Sequence, residues 1–172
     1  MRNASNPGWT RWLILSVVVV VADLATKAWI SNTFAAGEVV TVTPFFNLVL
    51  VYNTGAAFSF LAGAGGWQRW FFMAISIVVS AAIVYMLRRK DNPPILCAAL
   101  ALVLGGALGN LYDRATLGHV VDFVQLHAAG YYWPAFNVAD SAITVGVALL
   151  VWDSLLGKGG EAGMRKPEED RT

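Results

Sequence analysis

Two aspartates stand where apolar side chains would be the ordinary choice. Asp122 lies in "HVVDFVQL" between Val121 and Phe123, and Asp140 lies in "FNVADSAITVGVALLVW", just inside the leading end of a long apolar run. A carboxylate in hydrocarbon costs roughly 2.5 to 3.5 kcal/mol on insertion scales, so each needs a reason. Capping is one reason for Asp140. Asn137 suits an N-cap, which puts Asp140 in the first helical turn, where the positive end of the helix dipole favours its ionised form. Counted from Phe136 at the helical rise, it sits roughly 6 Å deep. The alternative is a shared site. If the segment around Asp122 is a strand, alternation turns this carboxylate away from the face of Val121 and Phe123. The stretch from Asp122 to Asp140 is long enough to fold back on itself. Two carboxylates in a partly dry site do not both ionise cheaply, so one keeps a proton while the other stays charged. That pairing activates water and protonates a carbonyl, which is general acid/base hydrolysis of an amide.

Other polar residues gather around these two. Asn110 and Arg114 are four apart and share a helix face, with Asp113 beside them. Arg114 serves either as a counter-ion for Asp113 or Asp122, or as a clamp on a substrate. Asp23 and Lys27 are also four apart, acid first, the favourable order for a mutually neutralising pair. Asn53 precedes Gly55 in "YNTGAAF", which reads as turn chemistry or as an amide offered to a bound peptide. His119 and His127 bracket Asp122, but their spacing matches no common zinc arrangement, and a strand separates His119 from Asp122 by face. We expect no metal and no other cofactor. No G-x-S-x-G is present, and Ser141 has no neighbouring base. Cys97 is the single cysteine, in an apolar run that offers nothing to lower its pKa, and it reads as a packed thiol.

The elements that position these groups are membrane helices. The chain has 172 residues, 57% of them hydrophobic and only 13% charged, far from the roughly 25% charged residues of soluble domains. No basic stripe interleaves with aromatics, which argues against a nucleic-acid partner. Apolar runs predict helices near 12–30, 68–88, 94–112 and 136–156, each close to the roughly 20 residues that span a bilayer. The first could pass for a cleaved signal peptide, but Asp23 and Lys27 interrupt it before "FAAGE", so we expect a retained helix. Gly105, Gly106 and Gly109 suit close packing of the third helix on a neighbour.

Of the twelve Lys and Arg residues, all but Lys27, Arg69 and Arg114 fall on one side of these spans. The positive-inside rule then puts both termini in the cytoplasm. The outer side receives the segments 31–67 and 113–135. Their short β-branched and aromatic runs, broken at Pro44, predict a small sheet at the interface with a short amphipathic helix from Ala56. Trp67, Trp70, Tyr131, Tyr132 and Trp133 suit an aromatic belt there. Residues 1–157 form one integral membrane domain on this reading, and the Gly-rich tail 158–172 is disordered.

The stretches "DLATKAW", "VYNTGAAFS", "GGALGNLYDR", "HVVDF" and "WPAFNVADSAI" carry a resemblance that runs from about Trp12 to Trp152. In order and spacing they resemble bacterial lipoprotein signal peptidase, or signal peptidase II. The resemblance implies an intramembrane aspartic endopeptidase of the bacterial inner membrane, with four helices and a small β-cradle at the outer face. It places the catalytic aspartates at Asp122 and Asp140. The supporting positions fall at Asn53, Gly55, Asn110, Arg114, Asn137, Asp23 and Lys27. It also implies the substrate, a diacylglyceryl-modified prolipoprotein cut before its lipidated cysteine, with membrane lipids as partners and the enzyme acting as a monomer. The rival from another class is a small proton-coupled transporter in which Asp23, Asp122 and Asp140 relay protons.

Overall fold

The computed structural model describes residues 8–55, 65–89 and 92–162. Four helices are long and apolar enough to cross a membrane: α1 (Thr10–Thr33), α2 (Trp67–Leu87), α3 (Pro94–Thr116) and α4 (Val138–Ala162). Hydrocarbon offers no partner for backbone N–H and C=O groups, so each span must satisfy its own, as a helix does. The valine run Val17–Val21 is β-branched and weak in intrinsic propensity, yet it is helical here for that reason. Much of the apolar surface points outward, as in Ile14, Val18, Val21, Ile77 and Val78. A chain in water would bury such residues; one in lipid has no need to.

Helix α3 is the centre of the bundle, with α1, α2 and α4 packed around it. It is 61% buried across its most apolar window, against 28% or less for the others. Glycines make this possible. A Cβ at Gly105 would lie 2.7 Å from Val19 Cβ on α1, and one at Gly109 would lie 2.6 Å from Asp23 Oδ2. On α4 the same logic holds at Gly146, where an added Cβ would meet Val103 Cγ2 at 2.7 Å.

Strands β1 (Val39–Thr43), β2 (Phe46–Asn53), β3 (Val120–Ala128) and β4 (Tyr131–Tyr132) form an antiparallel sheet in the order β1-β2-β3-β4. The sheet rests on the bundle through Leu50, Val121 and Phe123, which pack with Ile30. An irregularity in β2 between Leu48 and Val51 spends one extra residue against β3, so Val49 and Leu50 are buried in succession and Val51 then pairs with Asp122. Phe136 bridges to Val124, which occupies the β3 edge beside α4. Trp67, Trp70, Tyr131, Tyr132 and Trp133 are all exposed, as amphipathic rings at an interface would be.

Two helix ends lie well beyond the sequence reading. Helix α3 continues past residue 112 to Thr116, because "YDRAT" holds no breaker and Gly118, at φ +85°, is the first residue to leave the helical region. Helix α4 continues past residue 156 to Ala162, since Gly157, Gly159 and Gly160 weaken a helix without ending it as proline would. The rest of the expected tail and the short helix expected from Ala56 lie outside the described residues.

Candidate active site

Asp140 owes its position to the start of α4. Asn137 caps that helix, its Oδ1 accepting the backbone N–H of Asp140 at 2.8 Å. The neighbouring N–H, from Ala139, goes to Asp23 Oδ1 on α1 at 2.9 Å. Two of the otherwise unpaired donors of a helix start are thereby satisfied inside the protein. Asp140 takes the first turn, and its Oδ1 accepts from Asn110 Nδ2 at 2.8 Å.

Asp122 owes its position to β3. Val121 and Phe123 enter the Ile30 cluster, and Asp122 points to the other face, as alternation requires. There its Oδ1 accepts from Asn137 Nδ2 at 2.7 Å and its Oδ2 from Asn53 Nδ2 at 3.0 Å. Asn137 Nδ2 also approaches Asn110 Oδ1 at 3.3 Å. The two carboxylates thus stand at the ends of a chain of two amides, Asp122 to Asn137 to Asn110 to Asp140. Asp122 is only 2% exposed. Burial, with the charge of Asp140 adding to it, raises its pKa from 3.8 to about 7, against the opposing pull of the Asn53 and Asn137 donors.

Behind the amides lies a buried ionic group. Lys27 Nζ pairs with Asp23 Oδ2 at 2.7 Å and with Asp113 Oδ2 at 2.9 Å, and it donates to Asn110 Oδ1 at 3.0 Å. Lys27 therefore fixes which way the Asn110 amide points: oxygen to the ammonium, nitrogen to Asp140. Asp113 Oδ2 also accepts the Val121 N–H at 3.1 Å, which ties α3 to the strand that carries Asp122. Sequence reading paired Asp23 with Lys27 but missed Asp23 as an acceptor for α4. It also missed Asp113, assigned only as a neighbour of Arg114. The available signal was spacing: Asp113 is three residues from Asn110, on one helical face with it.

Arg114 makes no direct ion pair among the described residues, although the charges of Asp140, Asp122 and Asp113 all act on it. Its Nη2 donates to Gly55 O at 2.9 Å, and its guanidinium lies 5.1 Å from the centre of the Phe72 ring. Asn53 does its turn work, Oδ1 accepting the Gly55 N–H at 2.9 Å, while its other end serves Asp122. A cavity of about 580 Å³ opens beside these groups. Asn53, Asn110, Arg114 and Asp140 face it, and Phe136, Leu126, Ile143 and Val145 supply apolar wall.

The histidines lead elsewhere. His119 packs on Tyr52 with ring centres 4.4 Å apart, and His127 stacks on Tyr132 at 5.3 Å. Burial lowers the pKa of His119. Among the described residues no three His, Cys, Asp or Glu side chains group as metal ligands would. Cys97 is buried beside Leu87 and Leu100.

A family model described as Signal peptidase (SPase) II matches residues 15–156. The chain is 56% identical over 154 residues to the lipoprotein signal peptidase of Ralstonia nicotianae, covering 90% of this chain and 89% of that one. It is 54% identical over 144 residues to that of Paraburkholderia phymatum, covering 84% and 87%. Among solved structures, a bacterial membrane enzyme determined in meso at 2.3 Å superposes with a TM-score of 0.80 at 34% identity, over 99% of each chain. A second, at 1.9 Å, gives 0.75 at 36% identity over 90% of this chain and 97% of that one.

Proposed function

The chain belongs to the signal peptidase II family, and on that premise we propose that it is an aspartic peptidase in which Asp122 and Asp140 perform the hydrolysis of a prolipoprotein signal peptide. The observation that carries the catalytic type is the amide-linked pair itself, two carboxylates held by Asn137 and Asn110 at the wall of a cavity. The carrier reading falls with the family match.

Asp140 faces the cavity at the positive end of α4, so it is the member that stays ionised and takes a proton from the attacking water. Asp122, with its pKa near 7, holds a proton at neutral pH and donates it to the scissile carbonyl oxygen. Asn53 covers Asp122 Oδ2, and the substrate carbonyl takes over that place when it enters. The tetrahedral gem-diol collapses as the proton held by Asp140 passes to the departing amine and one gem-diol hydroxyl returns a proton to Asp122, which restores both carboxyls and leaves a new carboxyl terminus on the signal peptide. That amine belongs to the diacylglyceryl-modified cysteine. Asn53, Gly55, Asn110, Arg114, Asn137, Asp23 and Lys27 act on this reading as the frame that orients the pair and the chain to be cut. The apolar cavity wall suits acyl chains and an extended peptide. No step needs a metal, and every group comes from one chain, which supports a working monomer.

The protein is a multi-pass membrane protein, and Arg88 and Arg89 at the end of α2 support a cytoplasmic location for that end. The aspartates, on the far ends of the helices, then lie near the outer face. The test is cleavage of a lipidated, cysteine-containing precursor peptide by the purified chain in detergent. Asp122→Asn and Asp140→Asn should each abolish it while membrane insertion stays intact. Substantial turnover by Asp140→Asn, or loss with EDTA and recovery with zinc, would overturn the mechanism.

A further inference from the structure

Helices α1 and α2 both pack on α3, and between them a second cavity of about 710 Å³ opens to the bilayer. Its floor is Leu104 and Leu108 of α3, its walls include Val17 and Val84, and Arg88 stands at its rim. Small residues keep it open: Ser16 turns its hydroxyl away to Ala101 O at 2.8 Å, and Ser80 and Ala81 add little bulk. On α1 and α2 it lies towards the end opposite Asp140, and no residue of the catalytic frame lines it.

We propose that this cleft holds one acyl chain of an anionic phospholipid, with the lipid phosphate at Arg88. Length favours a lipid over a helix. From Arg88 to Ser80 the cleft follows about 12 Å of α2, whereas a full hydrocarbon core is about 30 Å thick. A partner helix would need a face along the whole span; an acyl chain needs one leaflet. Charge favours an anionic headgroup. Arg89 lies over the Tyr85 ring at 5.3 Å, but the Arg88 side chain is exposed and meets no partner among the described residues. A basic group at that level attracts acidic lipid. The cleft fixes the chain, and Arg88 selects the headgroup.

Native mass spectrometry of the full chain, exposed to equimolar phosphatidylglycerol and phosphatidylcholine in detergent, tests this. One phosphatidylglycerol should be retained per chain, with about a fivefold preference, as one arginine near the membrane surface supports. Arg88→Gln should level the preference without emptying the cleft. Ala81→Trp, an exposed position whose new ring fills the cleft, should remove both lipids, with Val84→Phe as the second filling variant. All three should still cleave precursor peptide in detergent. Equal retention of the two lipids by the unaltered chain, retention unchanged by Ala81→Trp and Val84→Phe, or a dimer that the filling variants dissociate would each overturn the proposal.

Discussion

Asn137 donates from Nδ2 to Asp122 at 2.7 Å while its Oδ1 caps the helix whose first turn holds Asp140, so one buried amide sets the position of both aspartates. The cap and the donor are separable by substitution. Serine caps a helix about as well as asparagine, but it is too short to reach Asp122 as well. Asn137→Ser should therefore lose about 1 to 3 kcal/mol of stability from the donor that Asp122 misses. Turnover should fall further, by about a hundredfold, the usual cost of removing a preorganised donor. Thermal unfolding and single-turnover cleavage read the two effects apart. Near-normal turnover would mean that the amide only starts the helix.

The pH profile follows from Asp122. Its native pKa of about 7 lies above the ordinary 3.8, so the folded chain binds this proton more tightly than the unfolded chain does. The resulting stabilisation is complete below the unfolded value and is lost as pH rises through 7. If the protonated form is the acid, kcat/KM should also decline on the alkaline side of about pH 7. Asn53 favours the charged form of Asp122, so Asn53→Ala should move that limb to higher pH. An alkaline limb that stays in place in Asn53→Ala would assign it to another group.

The spans were legible because hydrocarbon imposes a length and a composition that sequence shows directly. The strand around Asp122 was legible from Val121 and Phe123, whose alternation holds. Pairing was less so. Asn110 and Arg114 share a face, yet only the packed structure gives Asn110 to Asp140 and sends Arg114 to Gly55 O. The acceptor given to Ala139 by Asp23 joins residues far apart in the chain, and no local pattern encodes it. Such contacts depend on how closely α1, α3 and α4 approach, which the glycines permit without specifying register.

Among the described residues, Lys27 is the one cation that meets Asp23, Asp113 and the Asn110 oxygen. Lys27→Met should leave two buried carboxylates without a counter-ion and cost about 3 to 5 kcal/mol. Adding Asp113→Asn to Lys27→Met should restore part of that loss, because a neutral amide needs no counter-ion and its oxygen still meets the Val121 N–H. Thermal midpoints of the two single variants and the double variant measure the coupling. Strict additivity would mean that the group does not act as a unit.

Gly106 tests whether the α3–α4 approach matters for chemistry as well as for stability. A Cβ there would collide with the Ala139 carbonyl oxygen and lie 2.7 Å from Ile143 Cγ1. The first obstacle is backbone and does not rotate away, so α4 must shift outward. Ala139 directly precedes Asp140, and the shift reaches the carboxylate that must face the water. A displacement of about 1 Å at a reacting group costs on the order of a hundredfold in rate. Gly106→Ala should therefore reduce kcat by about that factor even where detergent-solubilised protein remains folded by circular dichroism. Trimming the side chain with Ile143→Ala should not rescue it, because the carbonyl stays where it was. Recovery in the Gly106→Ala, Ile143→Ala double variant would locate the clash in the side chain and remove the link from helix packing to the position of Asp140.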